Sequence, residues 1–319
     1  MSLQFVDFDG DGQEDLLAAT YEGTVFLVRG TQDGWLKPTH VLDKQGRPVL
    51  LSLYYDTLEH TYKNAERSLG PAKNPEDHCI AVSAVDWDAD GDLDLLLSSY
   101  EGRLYLQLNE GERGVAAFSG TNRLLKAGGK SIDLDGGLTA ARPVDWNGDG
   151  LFDLLCGSFD GSAIVFLNCG ERGAPVFAGG LELLKSAGEG GSDGSAPTSD
   201  FYVDAVDYDG DGDLDLLVGG HYEFVPPERE LTVAEVQQLV ELDAEAERND
   251  RRFRELQRIS SERGQGLSSE DVNRLHKELF AEPANVKFMT RRSEVFREIE
   301  VLRPRRRKIA GVWLYRQIS

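Results

Sequence analysis

An acidic nine-residue pattern occurs four times in this chain and restricts its fold more than any other feature. Positions 1, 3, 5 and 9 carry Asp with one Asn as the exception, and position 6 is always Gly. The four copies, numbered here as loops 1 to 4, are 7–15, 86–94, 145–153 and 207–215. Carboxylates held this close repel one another strongly. An acidic surface turn would explain one such copy, but it does not explain four.

The spacing of the oxygen-bearing side chains matches the ligands of a hard cation such as calcium. Calcium takes roughly six to eight oxygen ligands, including carboxylates at alternate loop positions, a backbone carbonyl and a final bidentate carboxylate. Glycine at position 6 permits a left-handed backbone turn. We therefore predict up to four calcium ions, each bound by side chains at positions 1, 3, 5 and 9 and by the carbonyl of position 7. The predicted ligands are Asp7, Asp9, Asp11, Gln13, Asp15, Asp86, Asp88, Asp90, Asp92, Asp94, Asp145, Asn147, Asp149, Leu151, Asp153, Asp207, Asp209, Asp211, Asp213 and Asp215.

Short apolar runs flank the loops and predict strands, whereas an EF-hand loop lies between helices. Around loop 2 these runs are 80–85 and 95–100, and the segment 103–109 then alternates with the period of a strand. In the first three units an acidic residue and a Gly separate the second and third runs, which favours a tight hairpin. Each unit is therefore predicted to be strand, loop, strand, turn and strand, with a less regular fourth strand.

The loops recur at a long period and resemble a known family. From first Asp to first Asp they lie 79, 59 and 62 residues apart, and repeats of this kind are typical of β-propellers and related arrays. The acidic loop between two strands, followed by an apolar run such as 94–97, is similar to the FG-GAP/VCBS repeat of integrin-α-type β-propellers. The resemblance covers roughly residues 3–225 and the last ten. Two departures are Asn147 in place of Asp and Ala89 in place of the usual Gly.

The resemblance implies an all-β fold, a calcium-stabilised β-propeller with four visible repeats, alone or within a larger ring. It further implies a secreted or cell-surface protein that serves cell adhesion, recognition or carbohydrate binding. The opening Met-Ser-Leu-Gln is not a signal peptide. We therefore expect that a secretion signal has been trimmed and that the protein is extracellular, periplasmic or on the cell surface.

A charged segment replaces the expected third strand of the fourth repeat. Thr232 and Glu235 have the spacing of a capping box, and two glycines near 265 separate a first helix from a second. The run 308–316 then resembles the missing strand. We predict propeller blades at 1–223 plus 309–319, and a helical hairpin at 224–308 inserted in the turn between strands 2 and 3 of the fourth blade.

The first predicted helix carries an apolar seam at heptad spacing. Its residues are Leu239, Leu242, Ala246, Asn249, Phe253 and Leu256. The hairpin could bury this seam internally, or the seam could bind a partner or a second copy in a homo-oligomer. A further segment, 293–302, is a candidate third helix.

Two sets of aromatic residues are candidates for ligand recognition. Tyr54, Tyr55, His60 and Tyr62 flank or occupy a long polar insertion between loops 1 and 2, and inserted loops often bind ligands. Packing between blades is the alternative for these residues. The other set occupies position 2 of every loop, and a repeated position is better explained by repeated core packing. Its members are Phe8, Trp87, Trp146 and Tyr208.

Charge and hydropathy exclude several classes of protein. The formal net charge of −22 disfavours nucleic acid and anionic membranes as partners, and an apolar run long enough to span a membrane is missing. The five histidines show no mutual spacing that would indicate a catalytic site. We therefore predict a binding module for carbohydrate or protein in preference to an enzyme, with no catalytic residues assigned. The alternatives are a calcium-dependent, lyase-like polysaccharide-degrading enzyme and an interaction scaffold that uses the helical arm.

Overall fold

The computed structural model describes residues 2–56, 61–64, 77–111, 115–134, 136–185, 194–227 and 230–317. His60, a candidate recognition residue, lies outside these ranges. The chain divides into two compact units. Unit 1 is Met1–Phe224 with Lys308–Ser319, and unit 2 is Val225–Arg307.

Unit 1 is built from short β-strands. In chain order they are β1 (Ser2–Val6), β2 (Asp15–Ala19), β3 (Val25–Val28), β4 (Gly30–Thr31), β5 (Gly34–Trp35), β6 (Thr39–His40), β7 (Leu53–Asp56), β8 (Thr61–Asn64), β9 (Cys79–Val85), β10 (Asp94–Ser99), β11 (Leu104–Gln107), β12 (Arg123–Leu124), β13 (Lys126–Ala127), β14 (Lys130–Ser131), β15 (Leu138–Val144), β16 (Asp153–Ser158), β17 (Ala163–Phe166), β18 (Leu181–Leu184), β19 (Ser199–Val206), β20 (Asp215–Phe224) and β21 (Arg307–Tyr315).

Four of the antiparallel sheets each contain one acidic loop, and we number them sheets 1 to 4 after their loops. Their strand orders are β1-β2-β3-β6, β9-β10-β11-β12, β15-β16-β17-β18 and β19-β20-β21. In each sheet the loop joins the first strand to the second, which confirms the predicted order of strand, loop, strand, turn and strand in the first three units. Smaller two-stranded sheets pair β4 with β5, β7 with β8, and β13 with β14.

The register around the loop is the same in all four sheets. The valine that precedes position 1 of the loop pairs with the Asp at position 9. These pairs are Val6 with Asp15, Val85 with Asp94, Val144 with Asp153, and Val206 with Asp215. Because these two residues are held opposite each other, the eight residues between them fold back in the same way each time.

Apolar side chains from neighbouring sheets form three buried clusters. One contains Leu17 of sheet 1 with Val82 of sheet 2, and the next joins Leu96 of sheet 2 to Ala141 of sheet 3. The third includes Leu155, which packs in the same cluster as Val203 of sheet 4. Burying this apolar surface is the main force that holds one sheet against the next.

The aromatic residues at loop position 2 pack as predicted in three of the four loops. Phe8, Trp87 and Trp146 are partly buried against these clusters. The ring centroids of Trp87 and Phe177, the latter in the next repeat, lie 5.7 Å apart. For Tyr208 the prediction is wrong, since this side chain is 62% exposed. Phe8, Trp87 and Trp146 each pack toward the following repeat. Loop 4 belongs to the last repeat of the described chain, so Tyr208 has no following described repeat to pack against.

Unit 2 consists of three helices, α1 (Val233–Gly264), α2 (Ser269–Ala281) and α3 (Pro283–Leu302). The capping box of Thr232 and Glu235 is present at the start of α1. The candidate third helix at 293–302 is present within α3, which begins ten residues earlier than that segment, directly after α2. Pro283 stands at the first position of α3, where its fixed φ suits a helix and its missing N–H is not needed.

The apolar seam of α1 is covered within unit 2. Leu242 is buried with Val295 and Ile299 of α3. Leu256 is buried with Leu279 of α2 and Phe288 of α3. Of the two alternatives for the seam, internal burial is therefore the one observed. No helix of the described chain has both the length and the apolar character needed to cross a membrane.

Candidate metal centre

Carboxylate oxygens converge in three of the four loops. In loop 1 oxygens of Asp7, Asp9 and Asp11 all lie within 4.8 Å of one another. The corresponding residues at positions 1, 3 and 5 converge in the same way in loops 2 and 4, namely Asp86, Asp88, Asp90, Asp207, Asp209 and Asp211. Loop 3 has two carboxylates at these positions, and its Asn147 donates an amide hydrogen bond of 2.9 Å to Asp149.

Two hydrogen bonds inside the loop recur in all four copies. The N–H of the position 6 glycine donates to the carboxylate at position 1 at 3.1, 3.3, 2.9 and 3.2 Å in loops 1 to 4. The N–H of position 7 donates to the carboxylate at position 5 at 2.7, 3.0, 2.9 and 3.0 Å. These bonds hold the carboxylates on the inner side of the turn, although like charges there repel.

The backbone is left-handed at positions 4 and 6 of every loop. At position 6 the φ values of Gly12, Gly91, Gly150 and Gly212 lie between 86° and 98°. At position 4, three loops have Gly, whereas loop 2 has Ala89 with a φ of 62°. Left-handed backbone costs a residue with a Cβ roughly 1–2 kcal/mol. Loop 2 therefore carries a strain that the other three loops avoid.

The Asp at position 9 is buried and joins the loop to the third strand. One of its oxygens accepts the N–H of position 2, as in the 2.9 Å bond from Trp87 to Asp94. The other oxygen accepts the N–H of a residue just beyond the third strand. These bonds are Gly30 to Asp15 at 2.8 Å, Asn109 to Asp94 at 2.7 Å, Asn168 to Asp153 at 2.6 Å and Gln317 to Asp215 at 3.0 Å.

This second role of position 9 was missed in the sequence. A signal was present, because the partner residue follows the Asp by 15 residues in loops 1, 2 and 3. In the fourth sheet the helical insertion separates Asp215 from Gln317, yet the same bond forms. The strand β21 therefore takes the place in sheet 4 that β3, β11 and β17 take in the other sheets.

Burial and mutual repulsion favour the protonated form of several loop carboxylates. Burial raises the pKa of Asp94 to about 7, although hydrogen bonds from Asn109 and Trp87 lower it. Burial and the nearby Asp90 and Asp88 raise the pKa of Asp92 to about 6. The pKa of Asp9 is also raised, first by burial and then by Asp15 and Asp11. Without a counter-cation these loops are therefore electrostatically strained.

The donor set of the loops fits a hard divalent cation. Among the described residues, Oδ1 of Asp9 and Oδ1 of Asp92 are buried and have no hydrogen-bond partner. A buried carboxylate oxygen without a partner is costly, and a bound cation would remove that cost. The residues that would hold the ion are those at positions 1, 3 and 5. The contributions of position 9 and of the carbonyls of Gln13, Asp92, Leu151 and Asp213 remain predictions.

A second candidate site is a group of aromatic side chains from sheets 1, 2 and 3 and from the β7–β8 sheet, here called the aromatic cluster: Tyr21, Tyr62, His78, Tyr100 and Phe159. The rings of His78 and Tyr100 stack at 5.2 Å, and Tyr100 contacts Phe159 at 5.5 Å. Tyr21 and Tyr62 each lie 6.0 Å from His78. Nevertheless Tyr21, Tyr62 and Tyr100 are 49%, 45% and 47% exposed.

Only one member of the aromatic cluster was predicted from the sequence. Tyr62 was among the candidates, and Tyr55 packs edge-on against it at 5.1 Å, but Tyr21, Tyr100 and Phe159 were missed. A signal existed, because each of these three rings directly precedes an acidic–Gly turn. The repeated register brings equivalent turns to the same side of neighbouring sheets, and therefore brings the rings together.

A family model described as FG-GAP-like repeat matches residues 86–156 and 145–218. The chain contains FG-GAP-like repeats. The matched residues include loops 2, 3 and 4 and the strands that lie between them, from β10 to β19. Loop 1 lies outside the match, but its register and its hydrogen bonds are those of the matched loops.

No curated protein matches the chain significantly. Among solved structures it is similar to one described as BBS1N in complex with ARL6DN, soaked with lead, at 12% identity and a TM-score of 0.30. That alignment covers 70% of this chain and 49% of the other, so this chain spans about half the length of that relative. The mercury-soaked form of the same complex aligns at 10% identity and a TM-score of 0.27, over 68% of this chain and 75% of the other.

Proposed function

We propose that unit 1 is a calcium-stabilised β-propeller that serves as a binding module. The observation that carries this proposal is the convergence of three carboxylate oxygens within 4.8 Å in loops 1, 2 and 4. Further support comes from the four sheets, whose equivalent loops repeat the same register and hydrogen bonds. When bound, calcium would supply positive charge that balances these carboxylates. The position 9 carboxylates would link each filled loop to the core of its sheet.

Isothermal titration calorimetry with calcium chloride tests the metal sites. We expect up to four ions per chain for the wild type, and one ion fewer for Asp88→Ala, which removes the position 3 ligand of loop 2. Asp33→Ala is the matched control, since Asp33 is an exposed acidic residue outside the loops. A wild type that takes up no calcium at millimolar concentration would contradict the proposal.

The proposed ligand surface is the aromatic cluster, and the proposed ligand class is carbohydrate. Its half-exposed tyrosines present flat apolar faces together with hydroxyl groups, and an exposed group of this kind marks a binding site more often than chance. Glu22, Glu101 and Asp160 follow the rings in their turns and offer carboxylates to sugar hydroxyls. A protein ligand is the alternative outcome at this same surface.

A glycan array probed in calcium, followed by affinity measurements, tests this ligand class. We expect Tyr100→Ala to weaken binding to any glycan found by at least about tenfold, since stacking area is lost. Trp35→Ala is the control, because Trp35 is 55% exposed but lies outside the cluster. An array without hits, or equal losses in both variants, would reject a carbohydrate site here.

We further propose an extracellular, periplasmic or cell-surface location for this module. Millimolar calcium outside the cytosol fills sites of the moderate affinity typical of extracellular modules. Fractionation of the native source, with immunoblotting of each fraction, tests the location. Recovery of the protein from the cytosolic fraction alone would contradict it.

An interaction scaffold is the second candidate function, and an apolar stripe on α1 favours it. Val233, Val236 and Val240 follow helical spacing and are 88%, 47% and 58% exposed. We propose that a second copy covers this stripe in a homo-oligomer. Light scattering after size exclusion would then give a monomer for Val236→Ser with Val240→Ser, and an unchanged oligomer for the control Val286→Ser. A monomeric wild type would exclude this function.

A further inference from the structure

The hydrogen bonds to position 9 identify equivalent positions in the four sheets, and one of these positions distinguishes loops 1 and 4 from loops 2 and 3. The partners of the position 9 carboxylates are Gly30, Asn109, Asn168 and Gln317. The residue directly before each partner therefore occupies an equivalent place beside its loop. That residue is Arg29 in sheet 1, Leu108 in sheet 2, Leu167 in sheet 3 and Arg316 in sheet 4.

Both arginines pair with the same loop position. The Nε of Arg29 lies 3.6 Å from Oδ2 of Asp9, and Nη1 of Arg316 lies 3.3 Å from Oδ2 of Asp209. Asp9 and Asp209 are the position 3 residues of loops 1 and 4. Two separate sheets thus place a guanidinium against a proposed calcium ligand in the same manner, whereas Leu108 and Leu167 are partly buried in the apolar clusters.

These ion pairs are loose enough to be displaced. Strong charge-assisted hydrogen bonds between nitrogen and oxygen are roughly 2.7–2.9 Å long, and both pairs are longer than that. The side chains of Arg29 and Arg316 are 54% and 58% exposed, so each can swing into solvent. In loop 1 the guanidinium faces one oxygen of Asp9, while the other oxygen is buried without a partner. A monovalent guanidinium therefore balances the loop only in part.

We propose that Arg29 and Arg316 are built-in counter-cations that compete with calcium in loops 1 and 4. They lower the calcium affinity of these two loops and keep them folded when calcium is scarce. Loop 2 has Asp92 at position 7 and Leu108 in the place of the arginine. It therefore lacks this competitor and binds calcium more tightly than loops 1 and 4 do. The proposal rests on the proposed function, since it concerns the affinity of the same metal sites.

Elementary electrostatics gives the direction of both effects. A positive charge beside a carboxylate lowers the affinity of that carboxylate for a second cation. The same positive charge relieves repulsion among the carboxylates when no metal is bound. Arginine keeps its charge at every accessible pH, so the competition does not depend on protonation of the guanidinium.

Calcium titration of charge-neutralised variants tests the proposal on the full chain. We expect Arg29→Gln combined with Arg316→Gln to tighten two sites by about tenfold, which corresponds to about 1.4 kcal/mol for each. The same variant should melt at a lower temperature than the wild type in EGTA. Arg29→Lys with Arg316→Lys keeps both charges and should leave the affinities within about twofold of wild type. Arg123→Gln combined with Lys130→Gln removes two exposed positive charges elsewhere and controls for net charge.

The outcomes separate this inference from the proposed function. Wild-type calcium binding that is unchanged in the double Gln variant would overturn the inference and leave the proposed function intact. Weaker binding in that variant would also overturn it, because the arginines would then orient the ligands instead of competing with the ion. A wild type that binds no calcium would overturn the proposed function and the inference together.

Discussion

The buried Asp at position 9 shows how one residue can serve both a loop and a sheet. Asp94 and Asp153 are 0% exposed, and each accepts two backbone N–H groups. Their pKa values are raised by burial in spite of those bonds. A cation bound in the loop would offset the cost of burying this charge. The residue therefore couples the proposed metal to the packing of the strands.

The left-handed backbone at Ala89 predicts that a single substitution at this residue will increase stability. Among the described residues other than Gly, only Ala89 and Asp200 have a positive φ. Ala89→Gly should stabilise the protein by about 1 kcal/mol, because the relief of left-handed strain exceeds the added freedom of the unfolded chain. Urea unfolding in calcium would measure this change.

The control for Ala89 is another alanine in a surface loop. Ala116 is exposed and lies outside the left-handed region. Ala116→Gly should destabilise the protein by about 0.5–1 kcal/mol through the unfolded chain alone. If both substitutions destabilised to the same extent, the strain assigned to Ala89 would not exist.

The buried carboxyl group of Asp77, which lies outside the acidic loops, predicts a pH dependence of folding stability. Burial raises its pKa to about 6, although hydrogen bonds from Ser99 and Glu101 lower it. The pKa of an Asp in the unfolded chain is about 4, so the folded state binds this proton more tightly than the unfolded state does. The stability from this group is fully present below about pH 4 and is lost as pH rises through about 6.

Asp77→Asn should remove that pH dependence while keeping an acceptor for Glu101. Between pH 4 and 7 the free energy of unfolding of the wild type should fall relative to the variant by about 2 kcal/mol. Urea unfolding at several pH values in the same buffer measures the difference. Parallel pH profiles for the two proteins would mean that Asp77 does not titrate as described.

At the scale of elements, the strands were predictable and part of the helical unit was not. The alternation in 103–109 and the acidic–Gly turns indicate β11 and its neighbours because local pattern and tertiary environment agree. The insertion of β21 after three helices was also indicated, since 308–316 repeats the pattern of the other third strands. The start of α3 was missed because 283–292 is partly polar and because Pro283 marks both the end of α2 and the first position of the next helix.

The core of unit 2 gives a prediction at the element scale. Val295 of α3 is 0% exposed and packs with Leu242 of α1. Val295→Ala should cost about 2 kcal/mol, because it leaves a cavity between the two helices. Val301 in the same helix is 72% exposed, so Val301→Ala should change stability by less than about 0.5 kcal/mol. Urea unfolding monitored by far-ultraviolet circular dichroism would compare the free energies of unfolding of the two variants. Equal losses in both variants would contradict the packing of α1 on α3.

For the whole molecule, the repeat pattern predicts the structure of each sheet better than it predicts how the sheets assemble. Four sheets with equivalent loops follow from four copies of one motif, since each copy meets the same local constraints. The closure of a ring depends instead on contacts between distant repeats, which no local pattern encodes. For the same reason the aromatic cluster was largely missed, because it joins residues from four sheets that are far apart in the chain.

Thermal unfolding with and without the metal tests whether calcium in the four loops stabilises unit 1. In EGTA the carboxylates of the loops would be left unbalanced, so the melting temperature should fall by at least about 10 °C and recover when calcium is returned in excess. Magnesium at the same concentration should restore less, because it demands a smaller and more rigid ligand cage. Melting curves that superimpose in calcium and in EGTA would contradict the account.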